Sequence, residues 1–405
     1  METSKIYLDY ASTTPCDKDV VAEMVPYFGE QFGNPNSIHD YGQIALEALT
    51  NSRIQIKNLI NSEFDEIVFT SGSTESNNIA IIRSMQYLKT TNKNRFITLK
   101  TEHKSVLDCA DYLNRFGFET TLLDVKNDGT LEFSYLEENL NEQTGLVSIC
   151  FVNNETGVAQ DIKKISKICC DKNILLHIDA TQAFGKIPID VKDLDIDFLS
   201  ASGHKIYGPK GIGVLFGKKQ SQKFIRVPRA NPEVEFGIRS GTIPVPLCVG
   251  LGKAAEIAQN EMSSNINKIK ALKKQLIEGI FSQLDEVYIN GSSENNYPGI
   301  INISFRGCEG EALMMEANRI AVSSGSACTS NKLSVSHVLA AMGIPSDIAQ
   351  SSLRITIGKY TESLDIDIAI EDLVAATNKL RLMSPIWDMI KSGIDIEKVF
   401  QRRSS

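Results

Sequence analysis

The sequence of 405 residues lacks the features that define several large classes of protein. It has no uninterrupted apolar run of about 18 residues, so we expect no membrane-spanning helix. Its first residues are too polar for a signal peptide and include acidic side chains that a transit peptide avoids, which predicts a cytoplasmic protein. The formal net charge of −8 argues against direct binding of nucleic acid.

The eight cysteines form no Cys-x-x-Cys pair and show no spacing typical of a disulfide framework. In a chain of this length we interpret them as reduced thiols. The composition, 42% hydrophobic and 23% charged, is that of an ordinary globular protein. At about 100–200 residues per domain, the length predicts two domains.

Strand-like apolar runs alternate with helical patterns over roughly the first 245 residues. This alternation predicts an α/β fold, in which a mostly parallel sheet is flanked by helices. A long helical stretch at 247–284 then leads into shorter strand and helix patterns, which predict a smaller α+β domain. We place the large domain at residues 15–260 and the small domain at residues 1–14 together with 261–405.

A lysine lies in a turn of small residues directly after one predicted strand. The strand covers residues 196–199, and the turn reads Ser200-Ala-Ser-Gly-His-Lys205. A buried lysine at a strand end suits an imine-forming amine, because burial disfavours the ammonium form. On this stretch alone, an ordinary surface lysine in a loop is the commoner outcome.

Polar side chains follow several other predicted strands. Ser73 and Thr74 open a helix after a glycine turn, which suits either an anion cradle or a simple helix cap. His103 suits stacking on a cofactor ring and Asp179 suits pairing with a pyridinium nitrogen, although each also suits the first turn or cap of a helix. Carboxyl ends of parallel strands share one sheet edge, so the set predicts a pyridoxal phosphate site. Its members are Thr74, His103, Asn154, Asp179 and Lys205, with Gln182 as a further contact.

A second candidate centre is the stretch Val322-Ser-Ser-Gly-Ser-Ala-Cys328. It has no apolar neighbours to bury the cysteine, and an accessible thiol is a nucleophile once deprotonated. The alternative is an incidental loop cysteine. Arg354, in a later predicted strand, suits a bidentate clamp on a substrate carboxylate, or else is a surface arginine on an edge strand.

Short motifs spread over nearly the whole chain resemble the cysteine desulfurases of the housekeeping iron–sulfur-cluster type, within the aspartate-aminotransferase superfamily. The motifs around Lys205 and Cys328 are together the most specific, and the tail motif resembles the branch that serves a scaffold protein. The motifs are Tyr7-Leu-Asp-Tyr10, Thr13-Thr-Pro15, Phe32-Gly-Asn-Pro35, Phe69-Thr-Ser-Gly-Ser-Thr-Glu-Ser76, Lys100-Thr-Glu-His103, Val152-Asn-Asn-Glu155, His177-Ile-Asp-Ala-Thr-Gln182, Ser202-Gly-His-Lys205, Arg239-Ser-Gly-Thr242, Ser323-Ser-Gly-Ser-Ala-Cys328 and Ser384-Pro-Ile-Trp387.

The resemblance implies fold type I of the pyridoxal phosphate enzymes and the conversion of L-cysteine to L-alanine. Lys205 would bind the cofactor as an imine, His103 would stack on its ring and relay protons, and Cys328 would accept the sulfur as a persulfide. The phosphate would lie against Ser73, Thr74, Ser202 and His204, and the substrate against Arg354 and Asn34. Thr242 would reach the cofactor of the other subunit, which implies a homodimer.

The resemblance also implies partners for the sulfur. An iron–sulfur scaffold protein would receive it, as would a sulfur carrier for tRNA thiolation, and Cys328 would transiently ligate a 2Fe–2S cluster shared with the scaffold. A selenocysteine lyase or another carbon–sulfur lyase, and a sulfur-relay docking protein without catalysis, are the alternatives.

The sequence departs from the family pattern at two places. The family's Gly-Gly-Gly-x-Glu stretch is replaced by Asn231-Pro-Glu-Val-Glu235, which bears on the nearby Thr242. Asn77 stands where the family pattern has Asp, and we expect that change to be minor.

Overall fold

The structure, a computed structural model, describes residues 5–227, 235–324 and 335–393. Its strands, in chain order, are β1 (Ile6–Tyr7), β2 (Ile67–Thr70), β3 (Arg95–Leu99), β4 (Glu119–Leu123), β5 (Thr144–Cys150), β6 (Leu175–Asp179), β7 (Phe198–Ser202), β8 (Gly213–Gly217), β9 (Val287–Ile289), β10 (Ile300–Phe305), β11 (Ile320–Ala321) and β12 (Ser352–Thr356).

A sheet of seven strands, in the order β2-β8-β7-β6-β5-β3-β4, forms the centre of the fold. β8 runs antiparallel to β2 and β7, and the other neighbours pair in parallel. Ile178 of β6 lies opposite Ile149 of β5 and Leu199 of β7, so these strands are closely in register. The mostly parallel α/β sheet predicted from the sequence is confirmed.

Helices cover the faces of this sheet and continue into the C-terminal part. They are α1 (Lys18–Met24), α2 (Asp40–Ile60), α3 (Ser73–Asn78), α4 (Ser84–Leu88), α5 (Lys104–Arg115), α6 (Phe133–Asn139), α7 (Ile162–Asp171), α8 (Val245–Phe281), α9 (Gly310–Glu316), α10 (His337–Ala341), α11 (Ser346–Gln350), α12 (Ser363–Leu382) and α13 (Pro385–Lys391). A π-helical turn at Ile79–Arg83 joins α3 to α4.

Helix α5 shows why the local pattern predicted these elements well. Its buried residues Val106, Cys109, Ala110 and Leu113 follow the spacing of one helix face. His103 caps its first turn, and Arg115 lies in its last turn, where a cation is favourable.

The long helix α8 packs against two hydrophobic clusters. Leu251 and Ala254 belong to the cluster beneath the seven-stranded sheet, whereas Leu272 and Leu276 belong to a second cluster beneath the antiparallel sheet β12-β10-β9. The first strand, β1, pairs with β11 near this second cluster. The proposed domain limits of 15–260, and of 1–14 with 261–405, stay a prediction.

Within the ranges that the structure describes, no helix combines the length and apolar character needed to cross a bilayer.

Candidate functional site

The ends of neighbouring parallel strands bring the predicted polar residues to one edge of the central sheet. β6 ends at Asp179 and β7 at Ser202, which a short 3₁₀ turn separates from Ile206. His103 lies between β3 and α5, and Ser73 opens α3 directly after β2 and its glycine turn. Because β2, β3, β6 and β7 point the same way, their following residues line a common crevice.

The start of α3 has the features of an anion cradle rather than of a capped helix. Its N-cap residue is Gly72, and no side chain caps the first turn. The hydroxyls of Ser73 and Thr74 bond to no other residue in the described part of the chain, so they are available to a ligand. Gly72 adopts φ 157°, and a side chain on Gly213 would collide with its backbone at 2.6 Å. The backbone therefore passes close to β8 and leaves the helix start open to the crevice.

His204 shows that the same end of the crevice is electropositive. Burial, helped by Lys205, Lys210 and Lys186, lowers the pKa of His204 to about 4. Its Nδ1 lies 3.1 Å from the Thr13 hydroxyl. A group of cations beside an uncapped helix start favours an anion such as a phosphate.

Asp179 is buried, with 4% of its surface exposed, and its carboxylate accepts hydrogen bonds on both oxygens. Asn77 Nδ2 donates to Oδ2 at 2.8 Å, and the Thr181 N–H donates to Oδ1 at 3.0 Å. The Thr181 hydroxyl donates to Oδ1 as well. A carboxylate held in this way is a suitable partner for a protonated ring nitrogen.

His103 is both the N-cap of α5 and a crevice residue. Its Nδ1 accepts the N–H of Ser105 at 3.2 Å and lies 2.8 Å from the Ser105 hydroxyl. Burial lowers the pKa of His103, with Asp179 opposing the change and Lys205 adding to it. His103 is therefore the N-cap of α5, and its contact with a cofactor ring stays a prediction.

Lys205 lies at the centre of the crevice. Its Nζ donates to the carbonyl oxygens of Ala11 and Ser12, at 2.6 Å each. The Ala11 carbonyl also accepts the amide of Gln182 at 2.9 Å. The N-terminal segment thus holds both side chains in place.

Lys186 is a crevice residue that sequence reasoning missed. Its Nζ donates to Gln182 Oε1 at 2.6 Å. Burial, with smaller contributions from Lys205 and Arg354, lowers the pKa of Lys186 to about 7. The sequence signal that could have identified Lys186 was its position in the turn that follows Gln182.

Arg354 is buried on β12, with 6% of its surface exposed, so the surface alternative is wrong. Its Nη2 donates to Asp9 Oδ1 at 2.8 Å and to the Ser12 hydroxyl at 2.7 Å. Its Nη1 donates to the Asn154 carbonyl at 3.1 Å, and its Nε has no partner within the described part of the chain. Arg354 is therefore tied to the rim of the crevice and retains a donor.

Asn34 and Thr242 lie apart from this network. Asn34 is exposed, and its Oδ1 accepts the N–H of Asn36. Thr242 is exposed as well, and no hydrogen bond in the described part of the chain ties it to the crevice. Cys328 lies outside the described residues, as do positions 231–234.

Glu235 anchors the chain just before Thr242. It is 3% exposed, pairs with Arg53 at 2.7 Å and accepts the N–H of Phe69 at 2.6 Å. The Arg53 guanidinium also lies 4.9 Å from the centre of the Phe69 ring. This segment is thereby fixed to β2, although the residues before it differ from the family pattern.

A buried pair of glutamates behind the crevice was also missed. Burial raises the pKa of Glu102 well above its usual value, and Glu102 Oε1 accepts the Cys150 N–H at 2.7 Å. The Glu155 carboxylate accepts the Ser336 hydroxyl. His337 donates from Nε2 to the Glu102 carbonyl at 3.0 Å. The motifs contained both glutamates, but only the fold shows that they connect to α10.

Comparison with known proteins gives consistent matches over nearly the whole chain. The profile of the aminotransferase class-V family matches residues 6–368. The chain is 45% identical over 395 residues to "Cysteine desulfurase IscS" of Rickettsia bellii, covering 97% of this chain and 96% of that protein.

Two solved structures are similar as well. A "NifS-like protein" superposes with a TM-score of 0.85 at 32% identity, covering 93% of this chain and 100% of that one. "SspA in complex with cysteine" superposes with a TM-score of 0.78 at 34% identity, covering 89% of this chain and 100% of that one.

Proposed function

Because this chain belongs to the aminotransferase class-V family and, within it, to the cysteine desulfurases, we propose that it converts L-cysteine to L-alanine and keeps the sulfur as a persulfide. The reaction balances without an added oxidant. The carbon–sulfur bond of cysteine breaks and a sulfur–sulfur bond to Cys328 forms. Of the two thiol hydrogens, one ends on the methyl group of alanine and the other stays with the persulfide.

The observation that carries the proposal is the meeting of Lys205, Asp179 and His103 at one sheet edge beside an uncapped helix start. These residues fit pyridoxal phosphate. The helix start with Ser73, Thr74, Ser202 and His204 suits its phosphate, and the buried Asp179 carboxylate suits its ring nitrogen. Gln182 and Asn154 offer amides to the ring oxygen.

Pyridoxal phosphate, when bound, withdraws electrons from the substrate carbons. The protein supplies the remaining parts. Lys205 would offer the amine that attaches the group, Asp179 would hold the ring nitrogen protonated, and His103 would lie against the ring and move protons.

Arg354 and Asn34 are the proposed contacts of the substrate carboxylate. Arg354 is buried at the rim and has an unpartnered Nε, so an added carboxylate would satisfy a donor that is otherwise unbonded. Asn34 is itself exposed in the Phe32-Gly-Asn-Pro35 segment, so its contribution requires its side chain to face the crevice.

A homodimer is proposed from the surface of the N-terminal helices. Large apolar side chains are exposed there, more than a monomer surface usually leaves open. They are Val25, Phe28, Phe32, Ile38, Tyr41 and Ile44, with exposures from 43% to 95%. The family resemblance implies that Thr242 of one copy would reach the cofactor of the other, and sedimentation of the purified protein measures the dimer.

An iron–sulfur scaffold protein is the proposed sulfur acceptor, with a tRNA-thiolation carrier as a further one. Apolar side chains at the end of α12 and on α13 are exposed, including Leu382, Met383 and Ile386. Trp387 beside them stacks on Arg381 at 3.9 Å and holds this surface in place. A transient 2Fe–2S cluster at Cys328 and a cytoplasmic location stay predictions.

The test is an absorbance spectrum followed by addition of L-cysteine. We expect a visible band that shifts on addition, release of alanine, and a gain of one sulfur mass on Cys328. Cys328→Ser should keep the band and lose sulfur transfer. A shifting band with no modification of Cys328 would point to a simple carbon–sulfur lyase.

A further inference from the structure

A chain of hydrogen bonds joins Asp179 to His103 through Asn77. Asn77 lies on α3 and is completely buried. Its Nδ2 lies 2.8 Å from Asp179 Oδ2 and 2.9 Å from the Ser105 hydroxyl, which in turn lies 2.8 Å from His103 Nδ1. One buried side chain, Asn77, therefore connects the Asp179 side of the crevice to the His103 side.

The orientation of the Asn77 amide follows from its neighbours. The group beside Asp179 must be the NH₂, because the opposite orientation would place Oδ1 against a carboxylate oxygen. Asn77 Oδ1 instead has no partner within the described part of the chain. Both N–H bonds of the amide are then used, one toward Asp179 and one toward Ser105.

This orientation fixes the direction of the remaining bonds. The Ser105 oxygen accepts from Asn77, so the Ser105 O–H is directed at His103 Nδ1. The Ser105 backbone N–H donates to the same Nδ1 at 3.2 Å. With two donors aimed at Nδ1, neutral His103 carries its proton on Nε2.

We propose that Asn77 is a positioning residue, which sets the direction of this hydrogen-bond chain and so makes His103 present an Nε2–H donor to the crevice. The role assigned to His103 rests on the proposed function, whereas the tautomer itself does not. Within the described part of the chain, no residue hydrogen-bonds His103 Nε2, so this nitrogen is available to a ligand.

An aspartate at position 77 would reverse the chain. Its carboxylate would lie against that of Asp179, so the pair would hold one proton between them. The carboxyl group at position 77 would accept the Ser105 O–H, and the Ser105 oxygen would then accept from a protonated Nδ1. An aspartate and an asparagine at this position therefore favour opposite tautomers of His103.

Other charged groups around His103 must be separated from this effect. Asp179 and Asp108 favour its protonated form, and Lys205 and His337 disfavour it. The variants below leave these four side chains unchanged.

The experiment is nitrogen-15 NMR on protein labelled in its histidine rings, prepared with and without pyridoxal phosphate. The chain has five histidines, and His103→Gln assigns the signal of interest. In the native protein we expect Nδ1 unprotonated and Nε2 protonated at neutral pH. In Asn77→Asp the tautomer should shift toward Nδ1–H, and the pKa of His103 should rise by about one unit or more.

Two further variants separate the effect of hydrogen-bond direction from the effect of the acidic group that Asn77→Asp adds. Asn77→Leu removes the amide donor and adds no charge. It should give a mixture of His103 tautomers and a smaller rise in the pKa of His103. Asn78→Asp adds the same acidic group to the same helix, where the native amide bonds to the Thr74 carbonyl, and should leave the tautomer unchanged. If Asn77→Asp does not fold, Ser105→Ala should reproduce Asn77→Leu, and the double variant should add nothing.

An Nδ1–H tautomer in the native protein would overturn the proposal, and so would an unchanged tautomer in folded Asn77→Asp. Additive effects of Asn77→Leu and Ser105→Ala would overturn it too. Formation of alanine from cysteine by the native protein is measured separately, so a failure of the proposed function leaves the NMR result readable.

Discussion

The crevice and a nearby junction of charged side chains satisfy their polar atoms differently. The junction cluster consists of Asp17, Tyr207, Glu261, Lys359 and Tyr360. Asp17 accepts hydrogen bonds from Lys359 at 2.5 Å and from Tyr360 at 2.6 Å, and the Lys359 N–H donates to the Tyr207 hydroxyl at 2.7 Å. Within the described ranges, no buried polar side-chain atom of this cluster lacks a partner.

The crevice, by contrast, leaves buried polar atoms unpaired. Asn77 Oδ1, Glu102 Oε2 and Arg354 Nε all lack partners in the described part of the chain. Leaving such atoms unsatisfied costs roughly 1–3 kcal/mol each. The junction therefore stabilises the fold, whereas the crevice retains bonding capacity for a ligand.

Removal of the Lys205 side chain should give the largest difference between the crevice and the junction cluster, because it should affect turnover far more than stability. We expect Lys205→Ala to lower alanine formation by on the order of a thousandfold or more, because it removes the attaching amine. Its bond to the Ser12 carbonyl is exposed, and the Ala11 carbonyl keeps the bond from Gln182, so the urea midpoint should change much less than turnover. Turnover and urea unfolding of the same preparation test this, with exposed Lys163→Ala as the control. A large fall in midpoint would make Lys205 a structural residue.

Removal of Lys359 should have the opposite outcome. Lys359→Met leaves the Asp17 carboxylate, whose side chain is 9% exposed, without its cation. Breaking a buried pair in this way should cost about 3 kcal/mol of unfolding free energy. Urea unfolding measures it, and Lys379→Met is the control because Lys379 is 59% exposed in its pair with Glu316. Equal losses in the two variants would contradict the contrast.

The junction should also make stability depend on acid. Burial works to raise the pKa of Asp17, but the hydrogen bonds from Lys359 and Tyr360 outweigh it and lower the pKa to about 2. Since the folded pKa lies below the unfolded value of 3.8, the contribution is present above about pH 4 and lost as the pH falls toward 2. It amounts to at most about 2 kcal/mol after solvent screening.

The measurement is the unfolding free energy between pH 5 and pH 2 for native protein and Asp17→Asn. The advantage of the native protein should shrink as the pH falls. A difference that stays constant over this range would show that Asp17 is not titrating in the folded state.

The sequence predicted the residues at strand ends and missed the links between them. Asp179 and Lys205 follow apolar runs directly, so a local pattern was enough to place them. Asn77 and Asp179 are 102 positions apart, and Asp17 and Lys359 are 342 apart, so no local pattern joins them. Arg354 was left open between two alternatives because burial against Asp9 depends on the pairing of distant segments.

The two departures from the family pattern can likewise be interpreted only through contacts between residues that lie far apart in the sequence. Glu235 keeps its place through Arg53, a partner 182 positions away. The effect proposed above for Asn77 depends on Asp179 and Ser105, which lie 102 and 28 positions away. A sequence shows only that such a residue differs from the family pattern. The contacts in the structure show what the difference changes.

The smallest expected effect is the salt dependence of the unfolding free energy, which should distinguish buried from exposed ion pairs. Lys163 and Asp193 form a pair at 2.7 Å with side chains 67% and 58% exposed. Asp193→Asn should cost less than about 0.5 kcal/mol at low salt, and this difference should vanish at about 1 M salt, where the screening length is about 3 Å. The loss in Lys359→Met should largely persist there, because the Asp17 and Lys359 side chains are each only 9% exposed. If both losses vanished together, the junction would be acting as a surface pair, and its contrast with the crevice would have to rest on hydrogen bonding alone.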